Sequence, residues 1–366
     1  MLETLHSNEF RNLAPEVLSF SPGTTLLFGE NGHGKTNFLE ALAVLSGRPS
    51  FRGARSAEMA AGDSFSLRAA VRNENGMESV SAEWSAGRAR VFQRNGKRAD
   101  FLAVGSALPA VFLAPEDRAL FLGGPAVRRK FLDRLAVTIF PAAVEDYRKF
   151  QRCLDQRNAL LASPGSPGLE SWTEQFILSA ARAGTRRLAA LDCWKPHWQA
   201  LLTRAGALSE IELRFSGPKG SMEDLAAEYR QQHARLARAE RERGRTLFGP
   251  QRDAIEFERG GRPFGASAST GEVMRAAFLL RLSEGETVAA VAGKVPLYAL
   301  DDFDAELSPG AAESLVAELP ESAQTVLTTA HPETVSRCPR KPDLVYEVVC
   351  GRAQLQARRE NLRKIG

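Results

Sequence analysis

The chain has 366 residues, 48 Lys+Arg against 44 Asp+Glu for a formal net charge of +4, and 43 % hydrophobic residues. That length holds one large or two ordinary domains with real cores, and the composition excludes a disordered chain. The small net charge excludes any case for a polyanionic partner built on the total, so nucleic-acid contact has to be sought in local clusters.

Four cysteines, Cys153, Cys193, Cys338 and Cys350, are scattered without a C-x-x-C pair, which argues against a disulfide framework or a zinc site. The N-terminus MLETLHSNEF lacks a secretory apolar run, and there is no stretch of about 18 uninterrupted apolar residues. The expectation is a soluble cytoplasmic protein with no membrane partner.

In chain order, residues 1–113 alternate short β-like runs (25–28, 65–71, 80–84, 89–93) with Gly, Asn and Asp turns, and GKTNFLEALAVLSG reads as a helix ended by Gly47. Residues 115–245 carry helical spacing of apolar residues in AVRRKFLDRLAVTIF, VEDYRKFQRCLDQRNALLA, LESWTEQFILSAARAGTRRLAALDCWKPHWQALLTRA and MEDLAAEYRQQHARLARAERERGRTL. SPGSPG at 163–168 joins two of these helices. After GPQRD the β texture returns with AIEFE, a helix after STGE, the buried-strand run VPLYAL, a helix over 309–319, the strand TVLTTA and a hairpin in LVYEVVCGRAQL. The expected fold class is α/β, a head of mixed β-sheets with helices, interrupted by a compact, mainly helical lobe: head 1–114, lobe 115–246, head 247–366. Helices of roughly 25 residues would span only about 35–40 Å, too short for coiled-coil arms.

GENGHGKT, Gly29-Glu30-Asn31-Gly32-His33-Gly34-Lys35-Thr36, fits G-x-x-x-x-G-K-[ST] between the strand TTLLF and a helix. Its backbone N–H groups and the helix N-terminus, including Asn37, would converge on phosphate. Lys35 would reach the β- and γ-phosphates and Thr36 would ligate Mg²⁺; the His33 side chain has no assigned role. Such a loop needs a carboxylate at a neighbouring strand end. VPLYALDDFDAELS supplies Asp301, to contact Mg²⁺ through a water, and Asp302, to act as general base, roughly 270 residues downstream. GTP recognition normally needs N-K-x-D; Arg340-Lys341-Pro342-Asp343 lacks the Asn, so ATP is expected.

A third element, Ser269-Thr270-Gly271-Glu272, opens an amphipathic helix and makes a second anion site, with Ser269 and Gly271 toward phosphate. Two chains head to tail would bring it to a partner's loop, whereas an ordinary N-capped helix is the plain alternative. Glu306-Leu307-Ser308 has the place of a dimer-contact loop, and His331 stands where a histidine would sense the γ-phosphate.

With NEFRNL, PSFRGARS, APEDRALFLGGPAVRRKFLDRL, YRKFQRCLDQRNALL and GPQRD, these motifs make the chain resemble, over nearly its whole length, the RecF family of bacterial recombination-mediator ATPases, related to the heads of structural-maintenance-of-chromosomes proteins. The resemblance implies a DNA-binding, ATP-dependent dimer with slow hydrolysis, partnered by RecR and RecO at gapped DNA on the nucleoid, and nucleotide contact by Arg11 and Asn12, which otherwise read as turn residues. Glu272 stands where glutamine is frequent, and Pro115-Glu116 takes the place of a lobe-coupling glutamine.

Basic clusters occur at Arg52 with Arg55, Arg94-Lys97-Arg98, Arg128-Arg129-Lys130, Arg235 to Arg245 and Arg358-Arg359-Arg363-Lys364. Without a base-reading motif, contact would be with the phosphates of a duplex or a single/double-strand junction. Arg128-Arg129-Lys130, followed by Arg52 and Arg55, ranks above the helix around Arg235, whose Glu240 and Glu242 suggest self-pairing. A transporter ATP-binding subunit and a small-molecule P-loop kinase share part of this pattern and stand as alternatives.

Overall fold

The computed structural model describes residues 1–358 apart from 75, 164, 166, 207, 306–308 and 339. They fall into two units, Met1–Arg118 with the chain from Thr270 onward, and Ala119–Ser269.

The first unit holds two six-stranded sheets. One is antiparallel, in the order Val17–Ser19, Leu2–Asn8, Ser64–Asn73, Gly76–Ser85, Val91–Arg94, Lys97–Ala99. The other runs Arg352–Arg358, Leu344–Val349, Thr24–Phe28, Thr325–Thr329, Leu297–Leu300, Ala110–Leu113, and all but the first of these strands are mutually parallel. Parallel strands covered on both faces need continuous rather than alternating burial, and LYAL and TVLTT are buried at every position. Helix Lys35–Leu45 is buried along most of its length. Its Phe38, Leu39 and Leu42 share one core with Leu5, Phe65 and Val80 of the antiparallel sheet and with Leu27, Val326 and Val348 of the parallel one.

The second unit contains the helices Pro125–Ile139, Ala143–Ala162, Leu169–Arg204 and Met222–Arg243. It also has a sheet, whose first strand falls inside residues 115–245, read as helical: Glu212–Ser216 pairs antiparallel with Ala254–Arg259, which pairs with Arg262–Pro263. Five residues of ELRFS carry too few periods to separate strand from helix, and the partner strand lies beyond the next helix. That pairing takes residues 247–269 into the second unit, whereas a head segment was expected there; the turn Pro115–Arg118 belongs to the first unit. Leu169–Arg204 is one 36-residue helix. It therefore spans about 54 Å, longer than the expected helices.

Motif residues hold this unit together. Arg157 and Asn158 come from QRNALL. The Arg157 guanidinium, wholly buried, makes a two-point contact with buried Glu240 at 3.0 and 2.7 Å, donates to the hydroxyls of Thr173 (3.0 Å) and Thr246 (2.8 Å), and lies over the rings of Phe176 and Phe248. Asn158 Oδ1 accepts the Thr246 amide and hydroxyl. Arg187 likewise bridges Asp133 of RRKFLD (2.8 and 2.9 Å) and Asp253 of GPQRD (2.6 Å). A buried ion pair is costly to create but more costly to leave half made.

Burial pushes the Glu240 carboxyl up, but hydrogen bonds from His233, Arg157 and the Leu247 amide outweigh it and hold the group at about 2 against a usual 4.5. The folded value lies below the unfolded one, so this contribution is complete above pH 4.5 and is lost as pH falls toward 2. Glu240→Ala, which strands the Arg157 charge, is expected to cost about 3–5 kcal/mol in urea unfolding at neutral pH. The difference from the parent should shrink as pH falls through that window; a variant of parental stability at pH 7 removes Glu240 from this role.

Candidate active site

The first chemical element is the turn from strand Thr24–Phe28 into helix Lys35–Leu45. Gly29 has φ +152°, and a Cβ there would lie 2.4 Å from the Val348 carbonyl oxygen; Gly34 has φ +107°, and its Cβ would lie 2.6 Å from Asn12 Oδ1. No other residue fits either place without displacing a neighbour. The His33 carbonyl accepts the Gly351 amide at 2.7 Å, so the hairpin turn between Leu344–Val349 and Arg352–Arg358 braces the loop from outside. Lys35 Nζ is buried and donates to the Gly29 and Glu30 carbonyls (2.8 and 3.2 Å) and to Asn31 Oδ1 (3.4 Å). Gly32 is exposed with open space before its Cβ position.

Strand Leu297–Leu300 ends in the second element. Asp301 Oδ1 accepts the Thr36 hydroxyl at 2.9 Å and the Thr328 hydroxyl at 2.8 Å, and the Asp301 amide donates to the Leu113 carbonyl at 2.8 Å. Burial, followed by the charge of Asp302, pushes the Asp301 carboxyl up to about 6 against the two hydroxyl donors, and Glu116 adds to the rise. Such a carboxylate gains from a cation beside it, and with the Thr36 hydroxyl it fits Mg²⁺. Asp302 has left-handed backbone (φ +40°), a strain on the order of 1–3 kcal/mol that clusters at functional positions. Its amide donates to Thr328 Oγ1 at 2.8 Å, and its buried Oδ1, without a hydrogen bond, lies 3.9 Å from Lys35 Nζ. Burial pushes the Asp302 carboxyl up, and Lys35 opposes it.

Thr328 was not singled out in the sequence, yet it orients both aspartates. The signal was available as the threonines at the end of the buried strand TVLTT, since a buried hydroxyl needs partners. The loop histidine, His331, is exposed, with Nδ1 3.5 Å from Glu333. Ser269 is exposed ahead of helix Thr270–Ala292, and Gly271 has open space before its Cβ position. Glu306-Leu307-Ser308 lies outside the described residues.

Arg11 and Asn12 part company. Arg11 is committed to the fold: its guanidinium makes a two-point contact with buried Glu40 (2.8 and 3.0 Å) and donates to the Glu58 carbonyl at 2.6 Å. Asn12 reaches the loop, its Oδ1 accepting from Asn37 at 2.7 Å. Arg52, expected among the DNA contacts, donates to Asn37 Oδ1 at 3.2 Å and stands at the same helix start; Arg55 is exposed.

The leading DNA cluster is corrected in two of its three members. Arg128 is buried and donates to the carbonyls of Ile255, Leu120 (3.2 Å) and Gly123 (2.7 Å), while Arg129 donates to the Asp253 carbonyl at 2.8 Å. Lys130 is exposed. Helix Pro125–Ile139 packs one face into the unit, and consecutive residues on a helix point about 100° apart, so three adjacent cations cannot share one outward face. Arg235, Arg238, Arg241, Arg243 and Arg245 are exposed, with Arg235 and Arg238 paired to Glu228 and Glu242. Arg359, Arg363 and Lys364 lie outside the described residues.

The model of the RecF/RecN/SMC N terminal domain matches residues 1–353. The chain is 34 % identical over 362 residues, 96 % of its length and 98 % of the relative's, to a DNA replication and repair protein RecF of Anaeromyxobacter sp. (strain Fw109-5). Among solved structures it is similar to the recombination mediator protein RecF-ATPrS in the RecFOR pathway (TM-score 0.87, 24 % identity, 98 % of each chain). It is also similar to RecF-ATP of that pathway (TM-score 0.85, 25 % identity, 97 % of each chain).

Arg128→Ala leaves three carbonyls without their donor and is expected to lower stability by about 3 kcal/mol in denaturant unfolding, whereas Lys130→Ala should stay within about 0.5 kcal/mol of the parent. Equal effects of the two substitutions would contradict the assignment of Arg128 to the interior.

Proposed function

This chain belongs to the RecF family, and we propose that it is a DNA-binding ATPase of recombinational repair and replication restart that works as an ATP-dependent homodimer. The observation that carries the reading is the Thr36–Asp301 hydrogen bond, which joins the phosphate loop to a strand end 265 residues away, beside the apposed Lys35 and Asp302. ATP is the nucleotide of a solved relative, and RecO and RecR are the partners its RecFOR pathway suggests. The transporter and kinase alternatives do not account for likeness to RecF proteins along the whole chain. No helix among the described residues is long and apolar enough to cross a membrane; a place on the nucleoid in the cytoplasm is part of the family reading.

Thr36 and Asp301 would hold Mg²⁺, which supplies charge neutralisation between the β- and γ-phosphates when bound. Mg²⁺ usually takes one or two carboxylates and keeps waters and phosphates as its other ligands, so the lack of a three-carboxylate cluster among the described residues is compatible with it. Lys35 would exchange the Gly29 and Glu30 carbonyls for phosphate oxygens, and Asp302 would take a proton from water at Oδ1. Ser269 and Gly271, at an exposed helix start, suit the loop of a second copy. For DNA, the exposed arginines 235 to 245 with Lys130 and Arg55 replace the buried Arg128 and the half-buried, carbonyl-bound Arg129 as phosphate contacts, without sequence preference.

Asp302→Asn should retain ATP binding while kcat falls about 100-fold or more, and its ATP-loaded dimers on DNA should outlive the parent's. Parental turnover would remove Asp302 from the base role. Lys35→Met and Ser269→Arg should each be inactive, and a covalently linked heterodimer of the two should regain part of the activity, because it contains one site with both residues intact. No recovery in the folded heterodimer places Ser269 outside a shared site.

Arg235→Ala, Arg238→Ala and Arg241→Ala together should weaken binding to all duplexes alike and reduce the salt slope by about 2–3. An unchanged slope moves the DNA footprint elsewhere.

A further inference from the structure

One carboxylate oxygen closes the His331 loop at both ends. Asp304 Oδ2 accepts the Thr329 hydroxyl at 2.7 Å and the Thr334 hydroxyl at 2.7 Å. Thr329 ends strand Thr325–Thr329, and Thr334 begins helix Thr334–Arg337. The same two threonines hold the histidine backbone: the His331 amide donates to Thr329 Oγ1 at 2.9 Å, and its carbonyl accepts the Thr334 amide at 3.0 Å. The imidazole gets little placement from its own side-chain contact, since its ion pair with Glu333 is exposed at both partners (58 % and 61 %), and such pairs contribute little. Where the ring stands is therefore set by its backbone, and that backbone hangs on Asp304.

Asp304 is also two residues beyond Asp302 in the same turn. The Asp302 amide binds Thr328 Oγ1, the Phe303 amide binds the Thr328 carbonyl at 3.2 Å, and the Ala305 amide closes the turn on the Asp302 carbonyl at 2.8 Å. Consecutive residues of one strand end thus engage consecutive residues of the aspartate turn: Thr328 with Asp302 and Phe303, Thr329 with Asp304. The Asp304 bonds extend this docking past the strand and into the loop.

We propose that Asp304 is a positioning residue for ATP hydrolysis, clamping the His331 loop to the Asp302 turn so that histidine and carboxylate address the same γ-phosphate. The inference rests on the nucleotide-site reading above. Neither threonine hydroxyl can be replaced by water at this spot without freeing one end of the loop, and misplacement of a catalytic group by about 1 Å costs on the order of 100-fold in rate.

Steady-state ATPase of the full chain with Mg²⁺ and duplex DNA tests it, together with fluorescent-ATP binding and thermal midpoints. Asp304→Ala should lower kcat about 10- to 100-fold with ATP affinity within about twofold of the parent. Asp304→Asn keeps a carbonyl oxygen as acceptor and should recover most of the loss. Asp304→Ala with His331→Ala should be no slower than the slower single variant, because both remove one positioned group. The inference is overturned if Asp304→Ala turns over at the parental rate while His331→Ala is slow, or if the two losses multiply. A parental rate in His331→Ala removes the histidine role and this inference with it, and a parental rate in Asp302→Asn overturns the nucleotide-site reading instead. If Asp304→Ala does not fold, Thr334→Val takes its place, and a parental kcat there likewise overturns the clamp.

Discussion

The parallel register of strands Thr24–Phe28, Thr325–Thr329 and Leu297–Leu300 is the constraint on which the site depends. Parallel neighbours end at the same edge, so the phosphate loop, the Thr328–Thr329 pair and Asp301–Asp302 are delivered side by side, although the outer two are far apart in sequence. Thr328 stands between them and is bonded to both aspartates. A one-residue slip in the middle strand would turn its hydroxyl to the opposite face, taking one donor from Asp301 Oδ1 and the acceptor from the Asp302 amide. The same edge receives the first turn of helix Lys35–Leu45, whose Thr36 meets Asp301 from the other side.

Around that edge the buried carboxylates Glu40 and Glu284 each have a cationic partner. Arg11 and Ser50 bind Glu40 beneath the phosphate-loop helix. Arg281 of helix Thr270–Ala292 bridges Asp117 of the turn Pro115–Arg118 and Glu284, which also accepts from Arg48 at 2.8 Å. The turn expected to couple the lobe is therefore tied through Asp117 to the helix that begins at Thr270, while its Glu116 acts on Asp301 through its charge. Buried ion pairs contribute more to a unique arrangement than to net stability, and here they join segments that have to keep register with one another.

Three of the motifs that carry the resemblance serve the same end in the second unit. QRNALL, RRKFLD and GPQRD meet inside the second unit, where Arg157, Arg128 and Arg187 satisfy carboxylates and carbonyls. A basic run in sequence is a statement about charge density along the chain, not about the surface; once a helix buries one face, the members of the run on that face are withdrawn from solvent. The exposed arginines of helix Met222–Arg243 and its C-terminal turn survive that filter; of the pairing expected with Glu240 and Glu242, Arg238 takes Glu242, while Glu240 is held by Arg157 and Arg235 meets Glu228 instead.

The sequence by itself determined the elements whose causes are local. The phosphate loop was legible because its glycines, lysine and threonine act through backbone geometry within eight residues, and the aspartate strand because that loop calls for a carboxylate at a neighbouring strand end; alone, an apolar run ending in two aspartates reads as an ordinary strand-to-loop turn. The head divided by an inserted lobe was legible from the change of period at either side. What only the tertiary structure decided were the matters that depend on a distant partner: that Glu212–Ser216 is a strand and draws residues 247–269 into the second unit, that Arg128 faces inward, that Arg11 serves Glu40, and that Thr328 and Asp304 bind across the site edge. A side chain's periodicity says which face it lies on, but a hydrogen bond is settled by which atom arrives opposite, and that is fixed only when strands remote in sequence take their register.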